Sequence, residues 1–205
     1  MVTVKSWIQS VMAGVCIAVG GIVYLSVENK MFGAVLFSTG LFTICTFGYN
    51  LYTGKACYFP GSEKKGEYLV WLAQIWAGNL IGTALVGYAM RLTRSGAALA
   101  QTAASLCEKK LTDSPLSIFI LAVLCNFLIY IAVENYKNNP HQLGKYLGIF
   151  LGVTVFILAG FEHCVANMFY FSVANVWSVH TVIYLLIMTV GNFVGGALPE
   201  WLKRF

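Results

Sequence analysis

Long apolar runs, with no regular alternation of polar and apolar residues, organise this chain. Each of six runs reaches the ~20 residues that a helix needs to cross the hydrocarbon core of a bilayer. The runs cover residues 7–27, 31–53, 68–90, 115–133, 146–173 and 179–198. Strands of a membrane barrel would alternate with a period of two, and backbone groups in lipid must otherwise be satisfied within a helix. The pattern therefore predicts an all-α integral membrane protein with six transmembrane helices.

Composition agrees with this prediction and limits what else the chain contains. Of its 205 residues, 59% are hydrophobic and only 10% are charged, and the mean hydropathy is +0.74. The longest connection, 91–114, is too short for a separate soluble domain, so residues 1–205 are expected to form a single transmembrane channel domain. The first run is too long for a cleaved signal and lacks its cleavage site, so it counts as a span.

Charge sets the expected orientation. With both termini in the cytoplasm, eight Lys and Arg residues lie inside and five lie outside, a bias that predicts a multi-pass protein of the cytoplasmic (inner) membrane. The net charge of +5 is explained by solvated loop residues, so no nucleic-acid partner is predicted. The six cysteines show no C-x-x-C spacing. Most of them lie in the apolar runs, which favours core packing over a disulfide framework, and neither a metal site nor a cofactor is predicted.

An internal repeat links the third and sixth runs. GNLIGTAL at 78–85 returns as GNFVGGAL at 191–198, with five of eight positions identical. Two halves of three helices each, about 1–92 and 113–205, account for this repeat. Three crossings reverse the side of the membrane, so the second half would be inverted, an arrangement that commonly frames a site at the bilayer midplane. The alternative is that small residues recur only because helices pack closely through Gly and Ala.

Two runs carry polar and helix-weakening residues at membrane depth. FGYNLYTGK at 47–55 interrupts the second run, and GFEHCVAN at 160–167 interrupts the fifth. Such residues are tolerated where the backbone lines a cavity or is covered by protein, and paired interruptions in corresponding positions indicate a transport pathway. The second and fifth helices are therefore predicted to be broken.

An ionisable pair, Glu162 and His163, lies well inside the fifth run. Apart from His180 near the mouth of the sixth run, these are the only ionisable residues within the apolar runs. Such a group costs about 2.5–3.5 kcal/mol on insertion scales, so function is the first hypothesis. The alternative is a histidine that fixes packing through a hydrogen bond to a neighbouring helix.

These motifs carry a resemblance to a known family. GFEHCVANMF, together with GYNLYTG, LCNFL and the two GN-x-x-G segments, resembles the formate/nitrite transporter family. The resemblance runs through all six spans and implies aquaporin-like protomers that form a homopentamer in the lipid bilayer, each with its own pore. It implies a channel, not an enzyme, for small monovalent anions such as formate, nitrite, acetate, lactate or hydrosulfide.

The resemblance also implies the roles of individual residues. His163 would be the central pore histidine, Thr53 and Asn126 its polar neighbours, and Asn167 a supporting hydrogen-bonding residue. Two apolar constrictions would flank them. The outer one would consist of Phe37, Ile129 and Phe156, and the inner one of Leu51 and Leu147.

Electrostatics restricts how an anion can cross such apolar rings. Transfer of a bare anion into an apolar constriction without water costs many kcal/mol, whereas transfer of the neutral acid costs far less. The substrate is therefore expected to cross protonated, or paired with a proton supplied through His163. An imidazole reaches either form near neutral pH, yet burial favours the neutral form, which leaves bulk water as the other proton source. Glu162 is expected to hold the turn or to accept backbone N–H groups.

The chain departs from the family pattern at several points. Asn50 stands where an acidic residue is common, and Pro60 follows Thr53 closely, so the second part of the broken helix should be short. Only six residues precede Trp7, so the amphipathic N-terminal helix of the family is expected to be missing or truncated.

Two other functions remain open from the sequence. A channel for water or glycerol fits the fold class, although the paired Asn-Pro-Ala signature of such channels is absent. A haem-binding membrane oxidoreductase would use His163 and His180 as ligands, but the two lie on either side of a turn.

Overall fold

The chain folds into nine α-helices within residues 2–203 and 205, which the computed structural model describes. In chain order they are α1 Val4–Ser26, α2 Lys30–Phe47, α3 Tyr52–Ala56, α4 Lys65–Arg91, α5 Gly96–Leu111, α6 Pro115–Asn138, α7 Gln142–Leu158, α8 Cys164–Ala174 and α9 Val179–Leu202. Five of them, α1, α2, α4, α6 and α9, are long and apolar enough to cross a membrane, and α7 and α8 are shorter apolar helices. The predicted all-α membrane architecture is confirmed.

Both predicted breaks are present, and each contains a glycine in a left-handed conformation. Gly48 ends α2 with φ 69°, and Gly160 follows the end of α7 with φ 71°. Glycine adopts this conformation without the steric penalty that a Cβ imposes. After the first break the chain forms only the five residues of α3 and then a 3₁₀ turn over Phe59–Gly61, so the second part of this helix is short, as expected.

Helix α5 was not predicted, because the connection 91–114 is too polar and too short to form a span. Its buried residues Leu99, Ala103 and Cys107 recur every four positions, which gives the helix one apolar face. Through this face α5 packs on α8. The connection is therefore an ordered part of the bundle and not a loop.

Two helix pairs approach through their backbones. α1 packs on α4, and α6 packs on α9. A Cβ at Gly82 of α4 would collide with the carbonyl oxygen of Val11, and a Cβ at Gly195 of α9 would collide with that of Val123. Both glycines belong to the repeated GN-x-x-G segments, and both permit the close contact that small residues provide between membrane helices.

The bundle has two ends, which we name from the chain termini. At the terminal face, near the start of α1, Trp71 Nε1 donates to Ser6 Oγ at 2.8 Å. Lys203, at the end of α9, bonds to Glu134 Oε2 at 2.9 Å on the same face. The opposite end, the distal face, carries the end of α5 with Lys110.

Candidate functional site

Two cavities lie along the axis of the bundle, one towards each face. The terminal cavity has a volume of about 150 Å³, and its wall includes Leu41, Ile44, Cys45, Leu51, Lys55 and Lys137. The distal cavity has a volume of about 80 Å³, and its wall includes Phe37, Lys110, Phe156, Phe161, His163 and Asn167. They share no lining residue. A narrow stretch of protein therefore separates them.

Thr53 and His163 meet in this stretch. Thr53 Oγ1 lies 3.0 Å from His163 Nε2, and both residues are buried. Thr53 belongs to α3, beside two residues of the terminal cavity wall, Leu51 and Gly54, whereas His163 lines the distal cavity. The hydrogen bond between them thus joins the two broken helices at the point between the cavities.

The position of His163 fixes which of its nitrogens carries hydrogen. His163 is the N-cap of α8, and its Nδ1 accepts a hydrogen bond from the backbone N–H of Ala166 at 3.1 Å. A nitrogen that accepts this bond has no hydrogen, so in the neutral ring the hydrogen is on Nε2. Nε2–H then donates to Thr53 Oγ1. The hydroxyl hydrogen of Thr53 is left free to donate elsewhere.

Aromatic rings cover the distal side of the histidine. The ring of Phe156 stacks on the imidazole of His163 with centroids 5.7 Å apart, and Phe37 meets Phe156 edge to face at 6.2 Å. Both phenylalanines are buried and line the distal cavity. The two rings therefore form an apolar part of the cavity wall beside the imidazole.

Glu162 forms a buried ion pair with a lysine from α5. Lys110 Nζ lies 2.8 Å from Oε1 and 2.7 Å from Oε2 of Glu162. The two side chains are 12% and 4% exposed. Asn167 Nδ2 donates to Glu162 Oε2 at 2.8 Å. The partners of this carboxylate are therefore side chains and not the backbone N–H groups that the sequence suggested.

Lys110 is the functional residue that the sequence reasoning missed. It was counted only as a basic residue of an outer connection. The apolar recurrence of Leu99, Ala103 and Cys107 would have indicated a helix there, with Lys110 at its end. Nothing in the sequence pattern joins that helix to Glu162, which lies 52 positions further along the chain.

Two asparagines hold the backbone around the site. Asn126 Nδ2 donates to the carbonyl oxygens of Thr53 at 3.1 Å and of Asn192 at 2.6 Å. It therefore links the backbone of α3 to that of α9. Asn167 Nδ2 also donates to the carbonyl oxygen of His163 at 3.1 Å. Both asparagines are buried, but only Asn167 lines a cavity.

A matched pair of asparagines clamps the two breaks. Asn79 of α4 accepts from the backbone N–H of Tyr52 at 2.8 Å and donates to the carbonyl oxygens of Ser10 and Asn50. In the second half, Asn192 of α9 does the same. It accepts from Cys164 N at 2.8 Å and donates to the carbonyl oxygens of Ala122 and Glu162. The repeated GN-x-x-G segments thus satisfy backbone groups that the two breaks leave free.

The structure brings together only some of the residues expected at the constrictions. Leu51 is 2% exposed and lines the terminal cavity. Ile129 is buried but is not part of either cavity wall, whereas Leu147 is 45% exposed on α7. The buried face of α7 contains Ile149 and Val153, and Leu147 points away from it. The protomer therefore gives no support to Leu147 as part of an inner constriction.

The two histidines of the haem alternative lie in different environments. Both ring nitrogens of His163 are engaged, by Thr53 and by Ala166. His180 is exposed near the start of α9, where its ring lies 4.4 Å from that of Tyr184. An axial ligand needs a free ring nitrogen, and His163 offers none without losing a hydrogen bond.

Comparison with known proteins assigns the family. The family model for the formate/nitrite transporter matches residues 1–202. A probable formate transporter of Methanothermobacter thermautotrophicus is 31% identical over 95% of this chain and 85% of its own length. The nitrite transporter NirC of Escherichia coli (strain K12) is 28% identical over 94% of this chain and 79% of its own length.

A solved structure agrees in fold. A pentameric formate channel with formate bound superposes with a TM-score of 0.85 at 24% identity, over 98% of this chain and 95% of the other. This likeness extends over nearly the whole chain. Together with the family model, it identifies this multi-pass membrane protein as a member of the formate/nitrite transporter family.

Proposed function

We propose that this chain is a channel for small monovalent weak-acid anions. Formate and nitrite are the substrates in the names of its relatives, and acetate, lactate and hydrosulfide share their size and charge. The observation that carries this proposal is the Thr53–His163 hydrogen bond, which lies between two cavities towards opposite faces. The proposed pathway runs from the terminal cavity past Leu51, along this pair, and between Phe37 and Phe156 into the distal cavity.

The proposed topology has six crossings in two inverted halves. In it, α2 with α3 forms the second crossing and α7 with α8 forms the fifth. The matched clamps of Asn79 and Asn192 support this reading, as do the matched backbone contacts of Gly82 and Gly195. From the distribution of basic residues, we place both termini and the terminal face in the cytoplasm.

The proposed assembly is a homopentamer in which each protomer conducts by itself. The solved formate channel with the same fold is pentameric. In this chain both cavities and the Thr53–His163 pair are built from residues of one protomer.

The chemistry of the pathway favours passage as a neutral acid. Between the cavities an anion would have to shed its hydration shell. Leu51, Phe37 and Phe156 are apolar and cannot replace the hydrogen bonds that this water makes to the anion. The hydrogen-bond pattern makes His163 a donor through Nε2, because a second proton on Nδ1 would break the bond to Ala166. We therefore infer that the substrate takes its proton from water and not from His163. The free hydroxyl hydrogen of Thr53 offers one bond to the passing substrate.

Formate flux into proteoliposomes, measured from pH 5 to 8, tests this mechanism with His163→Asn. Asparagine is a good N-cap and should keep the start of α8. We expect flux to fall about tenfold, as for the loss of one strong hydrogen bond, with an unchanged pH profile. His180→Asn, at an exposed histidine, is the matched control and should conduct like the parent.

Two results would contradict parts of this mechanism. A pH profile that shifts in His163→Asn would mean that the imidazole exchanges the proton itself. Undiminished flux at equal expression would mean that the pathway does not pass His163. If the parent protein carries no formate, nitrite or other weak-acid anion, the proposed function itself is wrong.

A further inference from the structure

The terminal cavity is positively charged. Lys55 and Lys137 both line it, and among its lining residues there is no Asp or Glu. Lys55 lies in α3, after the first break, and Lys137 lies in the last turn of α6. Two lysines on different helices therefore contribute to the wall of one cavity of about 150 Å³.

Neither ammonium group forms an ion pair in the described part of the chain. Within the described part of the chain, Lys55 and Lys137 have no carboxylate within 4.0 Å. The nearest acidic residue along α6 is Glu134, and its carboxylate is already occupied. It accepts from Tyr58 at 2.6 Å, from Asn138 at 3.1 Å and from Lys203 at 2.9 Å. Neither lysine therefore has a carboxylate as a direct partner.

Aromatic rings hold the two ammonium groups without cancelling their charge. Lys137 Nζ lies 3.7 Å from the ring centroid of Tyr58, and Lys55 Nζ lies 5.8 Å from that of Trp71. Such contacts attract a cation but leave its N–H groups free to donate elsewhere. Tyr49 and Tyr136 also line the cavity.

The cavity suits a doubly charged anion better than the substrate. Its volume is enough for several water molecules, and therefore for one tetrahedral oxyanion. Two unpaired ammonium groups match the charge of such an anion at neutral pH. A monovalent weak acid becomes neutral with one proton and passes Leu51. A divalent oxyanion needs two protons and stays in the cavity.

We propose that the terminal cavity binds a divalent tetrahedral oxyanion, phosphate or sulfate, between Lys55 and Lys137, and that this anion blocks weak-acid flux. The inference rests on the proposed function, since the block is of that flux. Because we place the terminal face in the cytoplasm, cytoplasmic phosphate or sulfate would then inhibit the channel.

Flux in the presence of inorganic phosphate is the first test. Formate flux is measured in phosphatidylcholine vesicles with phosphate on both sides, at constant ionic strength because salt screens exposed charge. Each variant is compared with its own uninhibited flux. We expect Lys55→Gln and Lys137→Gln each to weaken the inhibition about tenfold, as for the loss of one hydrogen bond to a charged group. Lys64→Gln, at an exposed lysine near the same face that does not line the cavity, should leave it unchanged.

Cys45 provides a second measurement that does not depend on flux. It lines the same cavity and is partly buried, so the rate at which a methanethiosulfonate converts it to a mixed disulfide, with release of methanesulfinate, reports occupancy. We expect an anionic methanethiosulfonate to react faster than a cationic one, and phosphate to slow both. Cys45→Ser identifies the labelled thiol. In the double variant Lys55→Gln with Lys137→Gln, the anionic reagent should no longer react faster than the cationic one, and phosphate should no longer slow the reaction of Cys45.

The outcomes separate this inference from the proposed function. If the parent conducts formate but phosphate neither inhibits flux nor protects Cys45, the inference is wrong and the proposed function stands. If phosphate protects Cys45 but does not inhibit formate flux, the anion binds in the cavity and the proposed block of flux is wrong. Protection that appears only when phosphatidylglycerol is added, without phosphate, would assign the site to a lipid headgroup and overturn the proposal. If no weak acid is carried, protection of Cys45 by phosphate still decides whether the oxyanion binds.

Discussion

The two breaks share one backbone design but end in different side chains. In each, a left-handed glycine, Gly48 or Gly160, is followed within a few residues by the N-cap of a new helix. At the first break the N-cap is Leu51, which makes no side-chain cap, and at the second it is His163, which accepts from Ala166. Similar turns therefore place an apolar side chain at the start of α3 and an imidazole at the start of α8.

The charges around the two breaks differ in the same way. In the first break, Asn50 donates to Gln9 at 3.2 Å and to Ser6 at 3.4 Å, all neutral groups. In the second break the residue before the N-cap is Glu162, which is paired with Lys110. The distal cavity therefore has a neutralised lysine, whereas the terminal cavity retains free ones. Matched variants at the two breaks test how this difference affects stability and conduction.

The largest expected loss of stability follows from removing one of the two clamping asparagines. Asn79→Ala and Asn192→Ala each remove three hydrogen bonds from fully buried backbone groups. Each should lower the free energy of unfolding by about 4 kcal/mol, since a buried group left unsatisfied costs about 1–3 kcal/mol. Thermal unfolding of the purified protein in detergent measures the effect. Asn29→Ala, at an exposed N-cap of α2, should cost only about 1 kcal/mol.

Similar losses at the two positions would mean that the halves are equally dependent on their clamps. A much smaller loss for Asn79→Ala than for Asn192→Ala would contradict the structural equivalence of the two breaks. The short α3 would then be held mainly by other contacts.

Breaking the ion pair should have the next largest effect. Glu162→Gln leaves Lys110 without its carboxylate in a buried position and should destabilise the protein by about 3 kcal/mol. Adding Lys110→Met should recover most of this loss, because no unpaired charge remains. Asn50→Ala is the matched change at the first break and should cost only about 1 kcal/mol. Equal stability of the single and double variants would show that the two charges are not coupled.

The last expected effect is on conduction and concerns Leu51. Leu51→Ala should widen the terminal side of the narrow stretch and admit water, which weakens a dewetted barrier to ions. Chloride leak into proteoliposomes should rise several-fold. Leu147→Ala, on the exposed face of α7, should leave the leak unchanged. If both variants leak alike, the constriction includes α7 and our pathway needs revision.

The sequence was sufficient to predict the helical spans and the breaks, for a physical reason. A bilayer demands long apolar runs, and polar residues such as Asn50 and Glu162 interrupt them only where a cavity or protein covers the backbone. The motif resemblance also suggested Thr53 as a neighbour of His163, and the structure has these two side chains 3.0 Å apart.

Other features required the tertiary structure. Helix α7 is apolar on most of its surface, so its pattern does not reveal that Ile149 faces inward and Leu147 outward. Lys110 lies in a connection that no hydropathy criterion marks as part of the bundle. Its pairing with Glu162 depends on how α5 folds back on α8, which local sequence does not encode.

The engagement of both ring nitrogens of His163 has a consequence for chemical reactivity. Electrophiles such as diethylpyrocarbonate attack an unshared electron pair on an imidazole nitrogen. The pair on Nδ1 is held by the N–H of Ala166, and Nε2 carries hydrogen towards Thr53. His141 and His180 are exposed and should be carbethoxylated first. The central imidazole is thus chemically protected by the same two bonds that orient it.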